Sequence, residues 1–275
     1  MKKMDFKKVK TVLTIAGSDS SGGAGIQADL KTMTSYKLFG MSAITAITAQ
    51  NTVGVQSSLT IEPDMLKAQL TSVCQDILPD AVKIGMVANT EQVKVIVEII
   101  DKYLKEKPIV LDPVITSTSG FTLVPEETIE FMKKNLFGRS IVITPNLIEA
   151  GYLYKEKIDN LEKMKEAAKA LGEEYKCGVL VKGGHLLNSK DDVLYYDSNL
   201  YVISGENVNN PNTHGTGCTL SSAIACELAL GKNLLDAIKG GKNYLTGAIK
   251  YGLNLGSGRG PVYHMYNLKE IKNAN

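Results

Sequence analysis

Short β-branched runs alternate with longer amphipathic segments along all 275 residues, and nearly every run ends in glycine, proline or a polar pair. Such alternation implies parallel strands in one sheet with helices on both faces. The strand candidates are Thr11–Ala16, Ser42–Ala49, Ala81–Ile84, Ile109–Leu111, Ile141–Thr144, Val179–Lys182, Val193–Tyr196 and Tyr201–Ile203. The helix candidates are Ile26–Tyr36, Pro63–Asp76, Glu91–Lys105, Pro125–Asn135, Leu147–Tyr154, Leu161–Tyr175, Cys218–Leu230 and Leu235–Tyr251. Thr90 reads as an N-cap, Pro125 as a first-turn residue, and Asn160 as the cap of the helix opening with Leu161 and Glu162. The early strands are almost unbroken apolar runs, as expected of strands buried on both faces. The last two differ, because Asp197-Ser198-Asn199 between them reads as a hairpin turn. No linker composition or repeat divides the chain, so residues 1–275 are expected to form one α/β domain.

The residues that break the apolar pattern fall just after the strands. Gly17-Ser18-Asp19 follows the first, Gln50-Asn51 the second, Gly85-Met86 the third and Asp112-Pro113 the fourth. Pro145-Asn146 and Gly183-Gly184 follow the next two. In a parallel α/β sheet the ligand crevice lies outside the carboxyl ends of the strands. One sheet edge therefore gathers polar and glycine residues from six segments, which a purely structural chain would not need.

Composition narrows the function. Lys plus Arg total 31 against 29 Asp plus Glu, so the net charge of +2 favours neither nucleic acid nor an anionic membrane. There is no Trp to build a base-stacking platform. The N-terminal lysines Lys2, Lys3, Lys7, Lys8 and Lys10 precede only the short run Val12–Ala16, so they read as a solvated tail rather than a signal peptide. No stretch reaches the roughly 18 apolar residues that span a bilayer, and a cytoplasmic location is expected. The four cysteines form no Cys-x-x-Cys pair and have no zinc spacing with histidine; Cys74, Cys177 and Cys226 sit among apolar neighbours and read as buried thiols.

The strongest motif is Asn212-Thr213-His214-Gly215-Thr216-Gly217-Cys218, followed by a helix of small residues. Bare N–H groups at a helix start, with the helix dipole behind them, make an anion site; an ordinary glycine turn before a buried helix is the plainer alternative. Cys218 lies in the first turn, where a thiol pKa is lowered. It can act as a base toward a substrate hydroxyl, order the site, or merely fill a tight turn. The cluster Gly17-Ser18-Asp19-Ser20-Ser21-Gly22-Gly23-Ala24-Gly25 matches neither a Walker loop nor the dinucleotide fingerprint. It fits a turn that closes over a ligand, in which Asp19 either binds a substrate hydroxyl or caps the following helix region. Gln50 offers a donor and an acceptor side by side, matching an amino-substituted nitrogen heterocycle, although a satisfied strand-end Gln looks the same. Asp112 is placed as a catalytic or metal-shell carboxylate. Asn146 and Glu149 supply oxygen ligands for a hydrated Mg²⁺, or helix caps. Lys182, ending an apolar strand, should point into the crevice and meet a phosphate. None of His185, His214 and His264 has a carboxylate partner nearby in sequence, and none is read as a nucleophile's base.

Together these segments resemble the ribokinase-like superfamily, and closely its hydroxymethylpyrimidine/phosphomethylpyrimidine kinase branch. The resemblance is carried by residues 13–32, Ala49-Gln50-Asn51-Thr52-Val53-Gly54, Lys83-Ile84-Gly85-Met86, Asp112-Pro113-Val114, Thr144-Pro145-Asn146-Leu147-Ile148-Glu149, Val181-Lys182-Gly183-Gly184-His185 and residues 212–221, in the family's order. It implies a three-layer α/β/α fold with a central, mostly parallel sheet. It implies ATP-dependent phosphorylation of hydroxymethylpyrimidine and of its monophosphate. Gly215, Thr216, Gly217 and Cys218 would surround the transferred phosphoryl group, with Cys218 standing where sugar-kinase relatives carry Asp. Gln50 and Met86 would grip the pyrimidine, while Asp19 and the backbone near Val114 hold its substituents. Lys182, Asn146 and Asp112 would serve the nucleotide, and Glu149 with Asp112 would organise Mg²⁺. A homodimer is also implied, with the hairpin near Asp197 as one candidate contact.

Two positions depart from the family's Asp-Pro-Val-Met-x-x-Lys-Ser-Gly pattern: Ile115 replaces Met and Thr118 replaces Lys. The missing cation bears on the second phosphorylation. Pyridoxal kinase is the competing activity in the same branch, and Gln50 favours the aminopyrimidine. A binding module that retained the fold without turnover is the alternative from another class.

Overall fold

Among the described residues nine strands, β1 (Thr11–Asp19), β2 (Phe39–Asn51), β3 (Gly54–Thr60), β4 (Ala81–Ile84), β5 (Ile109–Leu111), β6 (Val142–Ile143), β7 (Gly178–Val181), β8 (Asp192–Tyr196) and β9 (Asn199–Ile203), build one sheet in the computed structural model. The structure describes residues 8–115, 124–184, 186 and 189–269. The strand order is β3-β2-β1-β4-β5-β6-β7-β8-β9. From β2 to β7 all neighbours are parallel, whereas β3, β8 and β9 each run antiparallel to the strand beside them.

The helices among the described residues are α1 (Gly25–Ser35), α2 (Pro63–Asp76), α3 (Thr90–Ile99), α4 (Glu126–Asn135), α5 (Leu147–Tyr154), α6 (Leu161–Tyr175), α7 (Thr216–Ala229) and α8 (Leu234–Tyr251). The strands' period of two distributes their side chains between two cores. Leu13, Ile15, Val82, Ile84, Ile109, Leu111, Val179 and Val181 pack against α2 to α6. Val12, Ala81, Val110, Val142 and Leu180 pack against α1, α7 and α8. The result is the expected three-layer, mostly parallel α/β/α fold. No helix of the described residues is long and apolar enough to cross a membrane.

Several boundaries differ from the sequence reading. β1 and β2 are longer than Thr11–Ala16 and Ser42–Ala49, and β3 was not expected at all. All but the first residue of β3 are exposed, so it carries no apolar alternation to betray it. It is held by pairing with β2, as in Ile47↔Leu59. The helix expected over Glu91–Lys105 ends at Ile99 and continues as a π-helical turn, Ile100–Leu104. Its N-cap is Asn89, whose side chain accepts from the Gln92 N–H; Thr90 is the first helical residue. Pro125 precedes α4 rather than opening its first turn. Asn160 caps α6 as expected, accepting from the Lys163 N–H. Cys74 and Cys226 are buried, but Cys177, just before β7, is only partly covered.

Candidate active site

The carboxyl ends of β1, β2, β4, β5, β6 and β7 bring the sequence-singled residues to one edge, facing the start of α7. That helix begins at Thr216, two residues before the expected Cys218. Gly215 precedes it with φ 79°, in the left-handed region where a side chain is strained. A Cβ there would also lie 1.8 Å from the Gly23 carbonyl oxygen, so glycine is required twice over. Thr219 N–H closes the first helical bond to Gly215 O at 2.9 Å. The N–H groups of Gly217 and Cys218 meet no acceptor among the described residues and remain available to an anion.

Asp112 and Lys182 stand in front of that turn. A Cβ on Gly217 would lie 3.2 Å from Asp112 Oδ2 and 3.5 Å from Lys182 Nζ. Lys182 donates to Asp112 Oδ1 at 2.8 Å, and Thr144 Oγ1 donates to the same oxygen at 3.1 Å. Asp112 is only 4% exposed, so the pair is fixed and largely desolvated. Glu149 lies beside it. Burial pushes its carboxyl up to about 7; Lys182 opposes the shift and Asp112 adds to it. Glu149 Oε2 accepts from Asn146 N–H at 2.8 Å and Oε1 from Ile115 N–H at 3.3 Å. Asn146 is engaged in a capping box: its Oδ1 takes the Ile148 and Glu149 N–H groups at 2.9 and 3.0 Å.

Cys218 occupies the point where two helix starts converge, since the Gly25 N–H at the start of α1 donates to its thiol. The lowered pKa expected at a helix start is not found. Burial pushes the thiol above its usual value, outweighing the downward pull of the Lys83 ammonium; Asp29 and Asp112 push it further up.

On the other side of the crevice, Asp19 is 2% exposed and already engaged. Its Oδ1 accepts from Ser21 N–H and Oγ, both at 2.8 Å. Its Oδ2 accepts from Gly23 N–H at 3.1 Å and Ala24 N–H at 2.8 Å, and pairs with His214 Nε2 at 2.8 Å. Burial alone would raise its pKa, but the His214 and Ser21 bonds hold the carboxyl far below the usual range. Its geometry is that of a loop-ordering cap. His214, for which no partner was legible, thus ties the anion turn to the first glycine loop. It also faces Gln50 Nε2 at 3.4 Å. Gln50 is anchored by its backbone: its N–H donates to Ser20 Oγ at 2.9 Å and its carbonyl accepts from the same hydroxyl at 2.8 Å. Met86 lies under Gly17, its Cε 3.1 Å from where a Cβ would stand. Val114 N–H is turned inward to Asp112 O at 2.9 Å. Thr118 and His185 lie outside the described residues.

Sequence reasoning gave no role to Lys83 and Asp29. Both are fully buried and paired at 2.8 Å beneath the α7 turn. A lysine within the otherwise apolar Ala81–Ile84 was the available signal.

The geometry has counterparts. The family model described as Phosphomethylpyrimidine kinase matches residues 19–263. The chain is 43% identical over 267 residues to the hydroxymethylpyrimidine/phosphomethylpyrimidine kinase of Haemophilus influenzae, covering 94% of this chain and 98% of that protein. It is 41% identical over 263 residues to the thiamine biosynthesis bifunctional protein ThiED of Geobacter sulfurreducens, covering 95% of this chain and 54% of that longer one. Among solved structures, phosphomethylpyrimidine kinase from Clostridium difficile aligns with a TM-score of 0.78 at 44% identity, covering 88% of this chain and all (100%) of that one. The pyridoxal kinase from Staphylococcus aureus in complex with ADP aligns with a TM-score of 0.88 at 34% identity, covering 96% of each chain.

Proposed function

The chain belongs to the phosphomethylpyrimidine kinase family, and from that premise we propose that it transfers phosphoryl groups at the Gly215–Cys218 turn. It is a phosphotransferase of thiamine biosynthesis, acting on hydroxymethylpyrimidine and on its monophosphate with ATP as donor. One observation carries the placement of the reaction: the free N–H groups of Gly217 and Cys218 face the fixed Lys182–Asp112 pair across a gap left by a glycine. Such a gap receives an anion whose charge both the helix start and the ammonium stabilise.

Phosphoryl transfer depends chiefly on positioning and on charge stabilisation. The substrate hydroxyl oxygen attacks the γ-phosphorus, the bond to the ADP oxygen breaks, and the hydroxyl proton passes to Cys218 in its thiolate form, the deprotonated fraction of the buried thiol. The Gly217 and Cys218 N–H groups hold the transferred group, and Lys182 offsets its charge. Gln50, Met86 and the Val114 backbone orient the ring, while Asp19 and His214 hold the glycine loop in place around it. Asp112 and Glu149 provide two buried carboxylates side by side, which fits Mg²⁺, a cation that completes its shell with phosphate oxygens and water. Bound there, the ion would neutralise phosphate charge. Asn146 supports Glu149 through the capping box rather than through a free oxygen.

Pyridoxal is the second acceptor to test, because the pyridoxal kinase structure aligns with the higher TM-score of the two, 0.88 against 0.78. A coupled ADP-release assay with hydroxymethylpyrimidine, its monophosphate and pyridoxal in parallel decides the matter. Rapid turnover of both pyrimidines is expected; turnover of pyridoxal alone would overturn the substrate assignment. We also read the protein as a cytoplasmic homodimer. Exposed Ile47, Val53, Val55 and Leu59 on the β2–β3 ribbon, and Leu200 and Val202 by the Asp197 hairpin, are the apolar surfaces that a dimer would cover. Light scattering measures the mass directly.

A further inference from the structure

On the α7 side of the sheet, polar groups break the apolar row at Thr14 of β1 and Lys83 of β4, both with no exposed surface. Fully buried Asp29 of α1 joins them. Its Oδ2 accepts from Lys83 Nζ at 2.8 Å and from Thr14 Oγ1 at 2.6 Å. Its Oδ1 accepts from Ser222 Oγ of α7 at 2.7 Å. Ser222 follows Cys218 by four residues and so lies one turn below it on the same helix face. A Cβ on Gly85 would stand 2.7 Å from Lys83 Nζ, so the ammonium is packed beneath the residue that leads to Met86.

A buried ion pair is a poor stabilising device. Desolvation costs about as much as the attraction returns, and apolar replacements of both partners are often neutral or better. A pair kept under the reactive turn, and bonded to the helix that carries Cys218, therefore points to a role in the reaction. We propose that Lys83 and Asp29 are positioning residues: the pair ties the Cys218 face of α7 to β1, β4 and α1, and sets a fixed positive charge beneath the thiol and the transferred phosphoryl group. The proposal rests on reading the Gly215–Cys218 turn as the transfer site. The charge balance agrees with it. Burial raises the Cys218 thiol, and Lys83 supplies the largest downward pull, exceeding the push from Asp29. Burial disfavours the charged form of Lys83, but the neighbouring Asp29, Cys218 and Asp112 raise its pKa overall, so the charge persists.

The test compares the double variant Lys83→Met/Asp29→Asn with Ser222→Ala and Cys218→Ala. The double variant removes both charges at similar volume and leaves no unpaired ion. It is expected to melt near the parent, with kcat down about 100-fold and KM for ATP within about threefold. Alkylation of Cys218 by iodoacetamide at about pH 8, followed on its own peptide by mass spectrometry, should slow about tenfold, because less thiolate is present. Ser222→Ala cuts only the tie to α7 and should lower kcat about tenfold in a folded protein. A folded double variant with unchanged kcat and unchanged alkylation overturns the proposal. Should that variant not fold, unchanged kcat and alkylation in Ser222→Ala overturn it instead. Cys218→Ala separates the two claims. Full turnover there defeats the reading of the thiol, whereas turnover lost there but kept in the double variant defeats only the role given to Lys83 and Asp29.

Discussion

The two glycine turns at the crevice, Gly17–Gly25 and Asn212–Cys218, look alike as sequence and behave oppositely as structure. In the first, Asp19 gathers the Ser21, Gly23 and Ala24 N–H groups within the loop, and the Gly25 N–H is taken by the Cys218 thiol. In the second, the Gly217 and Cys218 N–H groups are left open among the described residues. Glycine content shows where a backbone can approach something closely; the presence or absence of an internal acceptor shows whether that something is the protein itself or a ligand. The turns also interlock, since Gly215 abuts the Gly23 carbonyl and His214 reaches Asp19. One turn is a wall built to hold the other in position.

Of the changes to the turns' backbone and its supports, the largest effect should come from Gly215→Ala. A side chain at φ 79° and 1.8 Å from the Gly23 oxygen must displace both turns. Turnover should fall by about 100-fold or more, with a stability loss of about 3 kcal/mol in urea unfolding.

Asp19→Ala tests the wall directly. Removing the acceptor strands the loop's buried donors, so a loss of about 2 kcal/mol and about tenfold in turnover are expected. A sharp rise in KM with stability untouched would instead make Asp19 a substrate ligand.

A pH-dependent effect, on stability rather than on turnover, concerns the far side of the second turn. His264 is buried and bonds Thr219 Oγ1 at 2.9 Å, and that hydroxyl donates to Gly215 O at 2.8 Å. Burial, with a minor contribution from Lys31, lowers its pKa from 6.5 to about 4. The unfolded chain therefore binds this proton more readily, and stability rises with pH across that window. As pH falls through it, up to about 3 kcal/mol should be lost. His264→Gln should flatten the acid limb of the melting temperature between those limits; an unchanged slope would show that other groups set it.

Much of the fold was legible because β5 is an unbroken apolar run and β4 is apolar but for Lys83, and their bounds, Ile109–Leu111 and Ala81–Ile84, coincide with expectation. β3 was not, because an edge strand exposed on both faces obeys no burial pattern. Asn89 and Thr90 are both competent caps, and only three-dimensional geometry chose Asn89. The site's members could be found from their positions after strands, but not their electrostatics. A first-turn cysteine predicts a lowered pKa; burial reversed it, and the opposing charge comes from Lys83, which is 135 positions away in the chain. Asp29 was hidden for a similar reason, since its partners Thr14, Lys83 and Ser222 come from three other elements.

The most direct test of the open turn as the transfer site is the turnover of Cys218→Ala measured alongside its binding of hydroxymethylpyrimidine. The account predicts a fall in kcat of about 1000-fold, with a dissociation constant within about threefold of the parent protein. Turnover within about tenfold of the parent, at similar affinity, would contradict it and move the chemistry away from this turn.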